Sequence, residues 1–444
     1  MSQSVWALIV IGLLLVGVNT LLWGVAGLCR VVAQFVAHRR MHRSARLGRP
    51  ALSLHPSVTR DQVAIVIAAH NEELVLAETL RSAARQVPLR QVFVISDGSS
   101  DGTVSLAHDA GANVLELSPN RGKAGAIVAG IRHFDLKTHF EVVVLLDADT
   151  HLSENYLETG LPLFTDDAVV AVAGRATTLL KPGARSLGGR LLVAYRERVY
   201  IAVQLLIKFG QAARSINVVT IVPGFASMYR SRVLELIDIA APGLTIEDYN
   251  MTFEIHARSL GRIAFHPNAA VALTQDPDNF HDYLKQVGRW SLGFWQTVIR
   301  HPWQPRKFWL ALYLYIAELV TSSILLVLLV PLIALSAASG VFTSLGWNGM
   351  VGGFEVAVVI SPGVLILGIV IPDYLLTIFA AIVARRPSFL LYGFAFPVLR
   401  LIDAALCLHR LPEAIVGEST GAWTSPSRRA PELTSHGRGA DGES

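Results

Sequence analysis

Val142-Val143-Val144-Leu145-Leu146-Asp147-Ala148-Asp149 decides how this chain is read. Five apolar residues in a row, three of them valine, suit a strand buried on both faces. The run then ends in two carboxylates one residue apart. A buried strand seldom ends in close like charges unless a positive partner neutralises them. A divalent cation on a diphosphate is the natural partner. Hard cations take one or two carboxylate oxygens plus substrate phosphates.

Similar runs lie on either side, at residues 63–68, 91–96, 113–117 and 169–173, and helical patterns at 74–85 and 124–133 alternate with them. This alternation predicts an α/β domain with a largely parallel sheet. Ligands in such domains bind outside the carboxyl ends of the strands. The first strand runs into His70-Asn71-Glu72-Glu73, and the second into Asp97-Gly98-Ser99-Ser100-Asp101-Gly102-Thr103. Taken singly, Asp97-Gly98 fits a simple turn and Asp101 an N-cap. Carboxylates at three strand ends together point to binding. Asn120-Arg121-Gly122-Lys123-Ala124-Gly125 opens a helix. Its glycines allow close backbone approach, and a helix N-terminus bearing Lys123 suits a phosphate.

Two further clusters follow. Thr245-Ile246-Glu247-Asp248 precedes an apolar-periodic stretch at 251–257. A capping box between Thr245 and Asp248 is one reading of it. Gln286-Val287-Gly288-Arg289-Trp290 comes just before the longest apolar stretches. Trp290, Trp295, Trp303 and Trp309 read as an interfacial aromatic belt. A belt leaves Gln286 and Arg289, three residues apart on one helical face, without a role.

The 444 residues are 52% hydrophobic and 16% charged, against roughly 25% charged in a soluble domain. Mean hydropathy is +0.46. Both values point to a chain partly dissolved in lipid. A net charge of +4 gives no electrostatic case for nucleic acid. The two cysteines, Cys29 and Cys407, form no disulfide framework or zinc spacing and read as packing residues. Residues 5–28 are apolar and long enough to cross a hydrocarbon core of about 30 Å. Arg30, His38, Arg39, Arg40, Arg43, Arg46 and Arg49 follow, which marks the cytoplasmic side. Further apolar stretches occupy 308–337, 353–383 (with kinks expected at Pro362 and Pro372) and 389–408. In the last, Arg400 and Asp403 are spaced to pair on one helix face.

The motifs together resemble those of the processive inverting family 2 β-glycosyltransferases: the poly-N-acetylglucosamine, hyaluronan, chitin and cellulose synthases. Five occur in the family's order: the Asn71-Glu72 pair, the loop at 97–101, the pair Asp147 and Asp149, the triplet 246–248, and Gln286-x-x-Arg289-Trp290. The resemblance runs from about residue 63 to 290. It implies a GT-A (Rossmann-like) cytoplasmic domain combined with transmembrane and interfacial helices. The expected organisation is a transmembrane helix at 1–29 and a basic linker at 30–58. The GT-A domain follows at 59–277, then interfacial helices at 278–307. A membrane region of two to four spans, three expected, occupies 308–410, and a mostly disordered tail 411–444.

On this resemblance the nucleotide sugar is bound by Glu72, Asp97, Asp101, Lys123, Asp147, Asp149, Gln286 and Arg289. Asp147 and Asp149 hold Mg²⁺ or Mn²⁺, Asp248 is the catalytic base, and Trp290, Glu247 and Phe225 contact the acceptor. The implied donor is a UDP-sugar, with N-acetylglucosamine expected first and glucose second. The implied acceptor is a polysaccharide or a lipid-linked sugar, in the inner (plasma) membrane, with accessory export or modification subunits as further partners. Ala422-Trp423-Thr424-Ser425-Pro426 is similar to the short cytoplasmic end of the bacterial poly-N-acetylglucosamine synthases. Ala68 replaces the family's usual proline, Ile246 stands where threonine is common, and one N-terminal span is expected rather than two. No cyclic-dinucleotide sensor is expected after the membrane part, which counts against a cellulose synthase. The competing readings are non-processive transfer to a lipid-linked acceptor and a catalytically silent membrane partner or transporter.

Overall fold

The computed structural model describes residues 17–46, 58–179, 183, 186–344, 350–351, 354–355 and 362–417. The first part of the expected N-terminal span, the stretch 356–361 and the tail motif at 422–426 lie outside them.

The first helix among the described residues is α1 (Val18–Arg46). The basic segment expected to be a linker from residue 30 thus continues the helix as far as Arg46. From Arg30 to Arg46 there is neither proline nor glycine, so nothing in that part breaks the helix. The soluble part then alternates: β1 (Val63–Ala69), α2 (Leu76–Ala84), β2 (Val92–Asp97), α3 (Thr103–Asp109), β3 (Asn113–Leu117), α4 (Gly122–His133) and β4 (Val142–Asp147). It continues through β5 (Thr150–Leu152), β6 (Val169–Val172), β7 (Arg175–Thr178), α5 (Leu187–Ala202), β8 (Ala226–Arg230), α6 (Asp248–Ala257), β9 (Arg262–Ala264) and β10 (Val271–Thr274). The helices α7 (Phe280–Arg300), α8 (Lys307–Ser344), α9 (Pro362–Ala384) and α10 (Phe396–Val416) complete it.

Seven strands form one sheet in the order β3-β2-β1-β4-β8-β6-β9. β1 to β4 are parallel, as their apolar runs predict. β8 runs antiparallel to both β4 and β6, so the sheet is mixed rather than largely parallel. Hydrophobic periodicity reports burial and not direction, which is why the reversal is invisible in the sequence. The reversal has a use. The Asp147 N–H donates to the Phe225 carbonyl at 3.1 Å, so the loop entering β8 lies beside the carboxyl end of β4. Apolar side chains cover both faces of the sheet, with Val66, Ile95 and Leu145 in one core and Ile65, Val94 and Val144 in the other. This is a GT-A-type α/β domain. β5, β10 and β7 make a small second sheet beside it.

Among the described residues, three helices are long and apolar enough to cross a membrane: Val18–Ala37, Lys307–Pro331 and Ser388–Val416. Val370–Ala384 is apolar but shorter. Pro362 is the first described residue of α9, and Pro372 lies inside it. Arg400 and Asp403 also have partners other than each other. Asp403 accepts from the Tyr195 and Tyr283 hydroxyls, and Arg400 lies 3.6 Å from Asp373.

The expected tryptophan belt is only partly present. Trp303 is exposed, but Trp295 and Trp309 are buried against α6 and α10. The Trp295 indole N–H donates to the Cys407 carbonyl at 2.9 Å, so this face of α7 turns inward and packs on a helix that the sequence did not announce as its partner.

The α/β domain and the apolar helices meet at α5. Arg196, Glu197 and Arg198 are all buried there. Arg196 pairs with Asp276, which follows β10, at 3.4 Å. Glu197 accepts from the Thr177 hydroxyl and the Thr178 N–H of β7, at 2.8 and 2.6 Å. Arg198 donates to Asp373 of α9 at 2.6 Å and to Thr377 at 3.2 Å. Removing one member of a buried ion pair strands the other charge. Arg198→Met is therefore expected to destabilise the protein by about 3 kcal/mol or more, read by thermal unfolding in detergent. The double variant Arg198→Met, Asp373→Leu should recover most of that loss. Equal losses in the single and double variants would show that the pair does not hold the seam.

Candidate active site

The carboxyl ends of β1, β2 and β4 form one ledge. After β1, the Asn71 N–H donates to Ser99 Oγ at 3.1 Å, and the Asn71 side-chain oxygen accepts from the Ser100 N–H at 2.8 Å. Glu72 is fully buried, and its N–H donates to Thr103 Oγ1 at 2.9 Å. Asp101 accepts from the N–H groups of Glu73 and Thr103, at 3.2 and 3.0 Å. Asp101 thus ties the first two strand-end loops together. Asp97 accepts from the Arg121 N–H at 2.7 Å through one oxygen. Its other oxygen is buried with no hydrogen-bond partner among the described residues. A buried carboxylate oxygen left unpaired is costly unless a ligand supplies a donor.

Lys123 sits in the first turn of α4 and reaches across this ledge. Its ammonium lies 2.7 Å from Asp147 Oδ1 and 2.9 Å from Glu247 Oε1, and donates to the Gly224 carbonyl at 3.5 Å. Three separated segments converge on one cation. Gly224 allows the convergence. A Cβ placed there would lie 2.9 Å from Glu247 Oε1 and 3.3 Å from both Lys123 Nζ and Asp248 Cβ. The Gly224 N–H faces the base candidate, donating to Asp248 Oδ2 at 3.3 Å, while the Tyr249 N–H donates to Asp248 Oδ1 at 2.7 Å.

The capping box does not form. α6 starts at Asp248 with Glu247 in the N-cap position, and the Thr245 N–H donates to Gln296 Oε1 of α7. A tertiary hydrogen bond from α7 takes the place of the local one.

Enclosure and like charges set the protonation of this cluster. Burial would lower the Lys123 pKa, but Asp147 and Glu247 outweigh it and raise it. Asp147 is held above its usual range by burial and by Asp149, against the pull of Lys123. Burial would raise Glu247 too, yet Lys123 and Arg289 hold it below its usual range. Burial, together with the Glu247 charge, pushes Asp248 up to about 6. Asp149 is itself buried.

Asp147 and Asp149 flank one residue at the end of β4. The Asp149 charge raises the cost of ionising Asp147, and a divalent cation would relieve it. No group of three or more His, Cys, Asp or Glu ligands occurs among the described residues. Any cation would therefore complete its shell from phosphate and water oxygens, a donor set that suits Mg²⁺ or Mn²⁺.

On α7, Gln286 Oε1 is buried without a hydrogen-bond partner among the described residues, and the Arg289 charge acts on Glu247. Trp290 stacks on the Arg196 guanidinium, 4.1 Å from its ring centre. Phe225 is half-buried, next to Gly224. The structure thus gathers Lys123, Asp147, Phe225, Glu247 and Asp248 around Gly224, with Arg289 beside them. Asp97 and Asp101 lie along the ledge. Sequence reading missed Arg196, Asp276 and the buried Lys208. The one available signal was the charged run 196–198 inside an apolar helix.

The family described as "Glycosyltransferase like family 2" matches residues 60–293. The poly-beta-1,6-N-acetyl-D-glucosamine synthase of Staphylococcus epidermidis is 25% identical over 268 residues, 59% of this chain and 61% of that one. Its counterpart in Staphylococcus aureus is 24% identical over 262 residues, 57% of this chain and 60% of that one. The chain therefore spans about three fifths of the curated relatives it matches. Among solved structures, the mannosyltransferase PcManGT of Pyrobaculum calidifontis, in complex with GDP-Man and Mn²⁺, matches with a TM-score of 0.47 at 17% identity, over 89% of this chain and 99% of that one. Glucosyl-3-phosphoglycerate synthase of Mycobacterium tuberculosis matches with a TM-score of 0.38 at 19% identity, over 57% and 84%. The family match covers more than half of the chain, from before β1 to within α7, and the protein belongs to the glycosyltransferase-like family 2.

Proposed function

We propose that this protein is a membrane-embedded inverting glycosyltransferase that adds a sugar from a nucleoside-diphosphate donor to a growing polysaccharide. The carrying observation is the convergence of Lys123, Asp147, Glu247 and Asp248 on Gly224. It sets a cation, a strand-end carboxylate pair and a raised-pKa carboxylate side by side. UDP-N-acetylglucosamine is the first donor proposed, because the curated relatives are poly-N-acetylglucosamine synthases.

Asp97 and Glu72 hold the nucleoside, and the unpaired Asp97 oxygen accepts a base or ribose donor. Lys123 and Arg289 face the diphosphate, with Gln286 beside them. Asp147 and Asp149 would hold Mg²⁺ or Mn²⁺, which when bound would neutralise charge on the leaving diphosphate. Asp248, oriented by the N–H groups of Gly224 and Tyr249, takes the proton of the attacking acceptor hydroxyl. Attack on the face opposite the leaving group inverts the anomeric centre. Trp290, Phe225 and Glu247 border the acceptor side. The arginines from Arg30 to Arg46 support a cytoplasmic catalytic domain on an inner membrane, where nucleotide sugars are available.

The test is a screen of nucleotide-sugar donors on the purified protein, with and without Mg²⁺ or Mn²⁺, reading nucleoside diphosphate release and product length. Metal-dependent release and a long product are expected with UDP-N-acetylglucosamine. Single-sugar products would favour a lipid-linked acceptor, and no release with any donor would overturn the proposal.

Asp248→Asn should lower transfer by at least about 10²-fold while donor affinity, measured by calorimetry, stays within a few-fold. Wild-type turnover in that variant would remove Asp248 as the base. The base must be ionised to accept a proton, and Asp248 is pushed up to about 6. The turnover rate should therefore fall as pH drops through about 6, and Asp248 should own that limb of the pH profile.

A further inference from the structure

Trp290 borders the acceptor side of the site, and one face of its ring is already occupied. The Arg196 guanidinium of α5 lies over that face, 4.1 Å from the ring centre. Arg196 is buried, with 3% of the residue exposed, whereas Trp290 is half-buried. The Trp290 indole N–H donates to no described residue. Trp295 and Trp309, which pack helices together, are buried instead. Trp290 is therefore a partly open ring with a cation fixed against one side.

Arg196 is held at its edge so that its plane stays on the ring. Its Nε lies 3.4 Å from Asp276 Oδ1, and its Nη2 donates to the Tyr200 hydroxyl at 3.3 Å. The Tyr200 hydroxyl donates to Asp276 Oδ1 at 2.9 Å, and Thr178 Oγ1 donates to Asp276 Oδ2 at 2.8 Å. Asp276 follows β10 and Thr178 ends β7, so the small second sheet anchors the guanidinium. An arginine suits this place because its planar fork can hydrogen-bond at the edge while it stacks through the face.

Separate contacts fix α7 beside the base. A Cβ on Gly293 would come within 2.0 Å of Ile246 Cγ1, and Gln296 Oε1 accepts from the Thr245 N–H at 2.9 Å. Arg289, Gly293 and Gln296 share one face of α7, which lies against the segment leading to Asp248. Trp290 is three residues before Gly293, at the border of that face. The helix thus sets where the indole is attached, and Arg196 sets how its plane lies.

We propose that Arg196 is a positioning residue for the acceptor: it fixes the plane of Trp290 and blocks one face, so that an acceptor sugar stacks only on the other. The inference rests on Trp290 bordering the acceptor. A pyranose has a flat C–H face and a rim of hydroxyls, which suits an aromatic face with an unpaired N–H at its edge.

The experiment measures initial rates with UDP-N-acetylglucosamine and a short β-1,6-linked N-acetylglucosamine oligosaccharide as acceptor. It compares the wild type, Arg196→Lys, Trp290→Leu and the double variant, with thermal unfolding of each. Lysine keeps a charge opposite Asp276 but loses the plane that stacks on the ring. Arg196→Lys should raise the acceptor KM by about fivefold or more and leave the donor KM unchanged. Saturating acceptor should restore most of its rate. Trp290→Leu should raise the acceptor KM further. The double variant should match Trp290→Leu alone, because residues that act through one contact do not add. The proposal is overturned if Trp290→Leu raises the acceptor KM and Arg196→Lys does not, or if the two losses add in the double variant. An acceptor KM unmoved in Trp290→Leu means that the acceptor-side reading of Trp290 has failed instead. If Arg196→Lys does not accumulate folded, Tyr200→Phe removes the hydroxyl that bridges Arg196 and Asp276. It should raise the acceptor KM alone, and an unmoved value there overturns the proposal equally.

Discussion

The Lys123 ammonium is the contact on which the site depends. β4, the loop entering β8 and the start of α6 come from three distant stretches of chain. Each contributes an oxygen to that one cation. Without it, the half-buried Asp147 and the buried Glu247 would face each other as like charges, with Asp149 and Asp248 adding to the repulsion. The antiparallel direction of β8 is what makes the contact reachable, because it returns the chain to the carboxyl end of β4. A parallel strand there would begin at the opposite edge.

A second constraint is the seam at α5. Three successive charged residues are buried there, and each points to a different part of the molecule. Arg196 serves the active-site side through Asp276 and Trp290, Glu197 serves β7, and Arg198 serves α9. Ion pairs of this kind add little net stability but punish any other arrangement. They fix how the catalytic domain sits on its helices, while the apolar contacts of α7 with α10 supply the area.

The parallel half of the sheet and its carboxylates were legible because each strand is a short apolar run ending in a charge. Asp97 and Asp147 were found this way, Lys123 through the glycines around it, and Asp248 through the acidic cluster that precedes an apolar-periodic stretch. Strand direction was not legible, since β8 has the same burial signature either way up. The Trp295 and Trp309 indoles were misplaced for a related reason: an amphipathic aromatic helix before a membrane span looks interfacial until its partner α10 is seen. The burial of Lys208 was hidden because local pattern cannot distinguish a buried lysine from one on a solvated face. The start of α6 was set by Gln296 across the fold rather than by Thr245 nearby.

A Cβ on Gly210 would come within 2.1 Å of the Trp23 carbonyl, so α1 and the chain around Gly210 touch backbone to backbone, and this has a consequence for how such a protein can change over time. Here α1 is part of the wall behind the catalytic domain. Deleting it would uncover the Phe209 ring and leave the Phe209 carbonyl without its Arg30 donor. A water-soluble descendant could not arise by simple loss of the leading helix. It would first need a polar replacement for that wall, so the membrane attachment is locked in by packing as well as by any benefit of location.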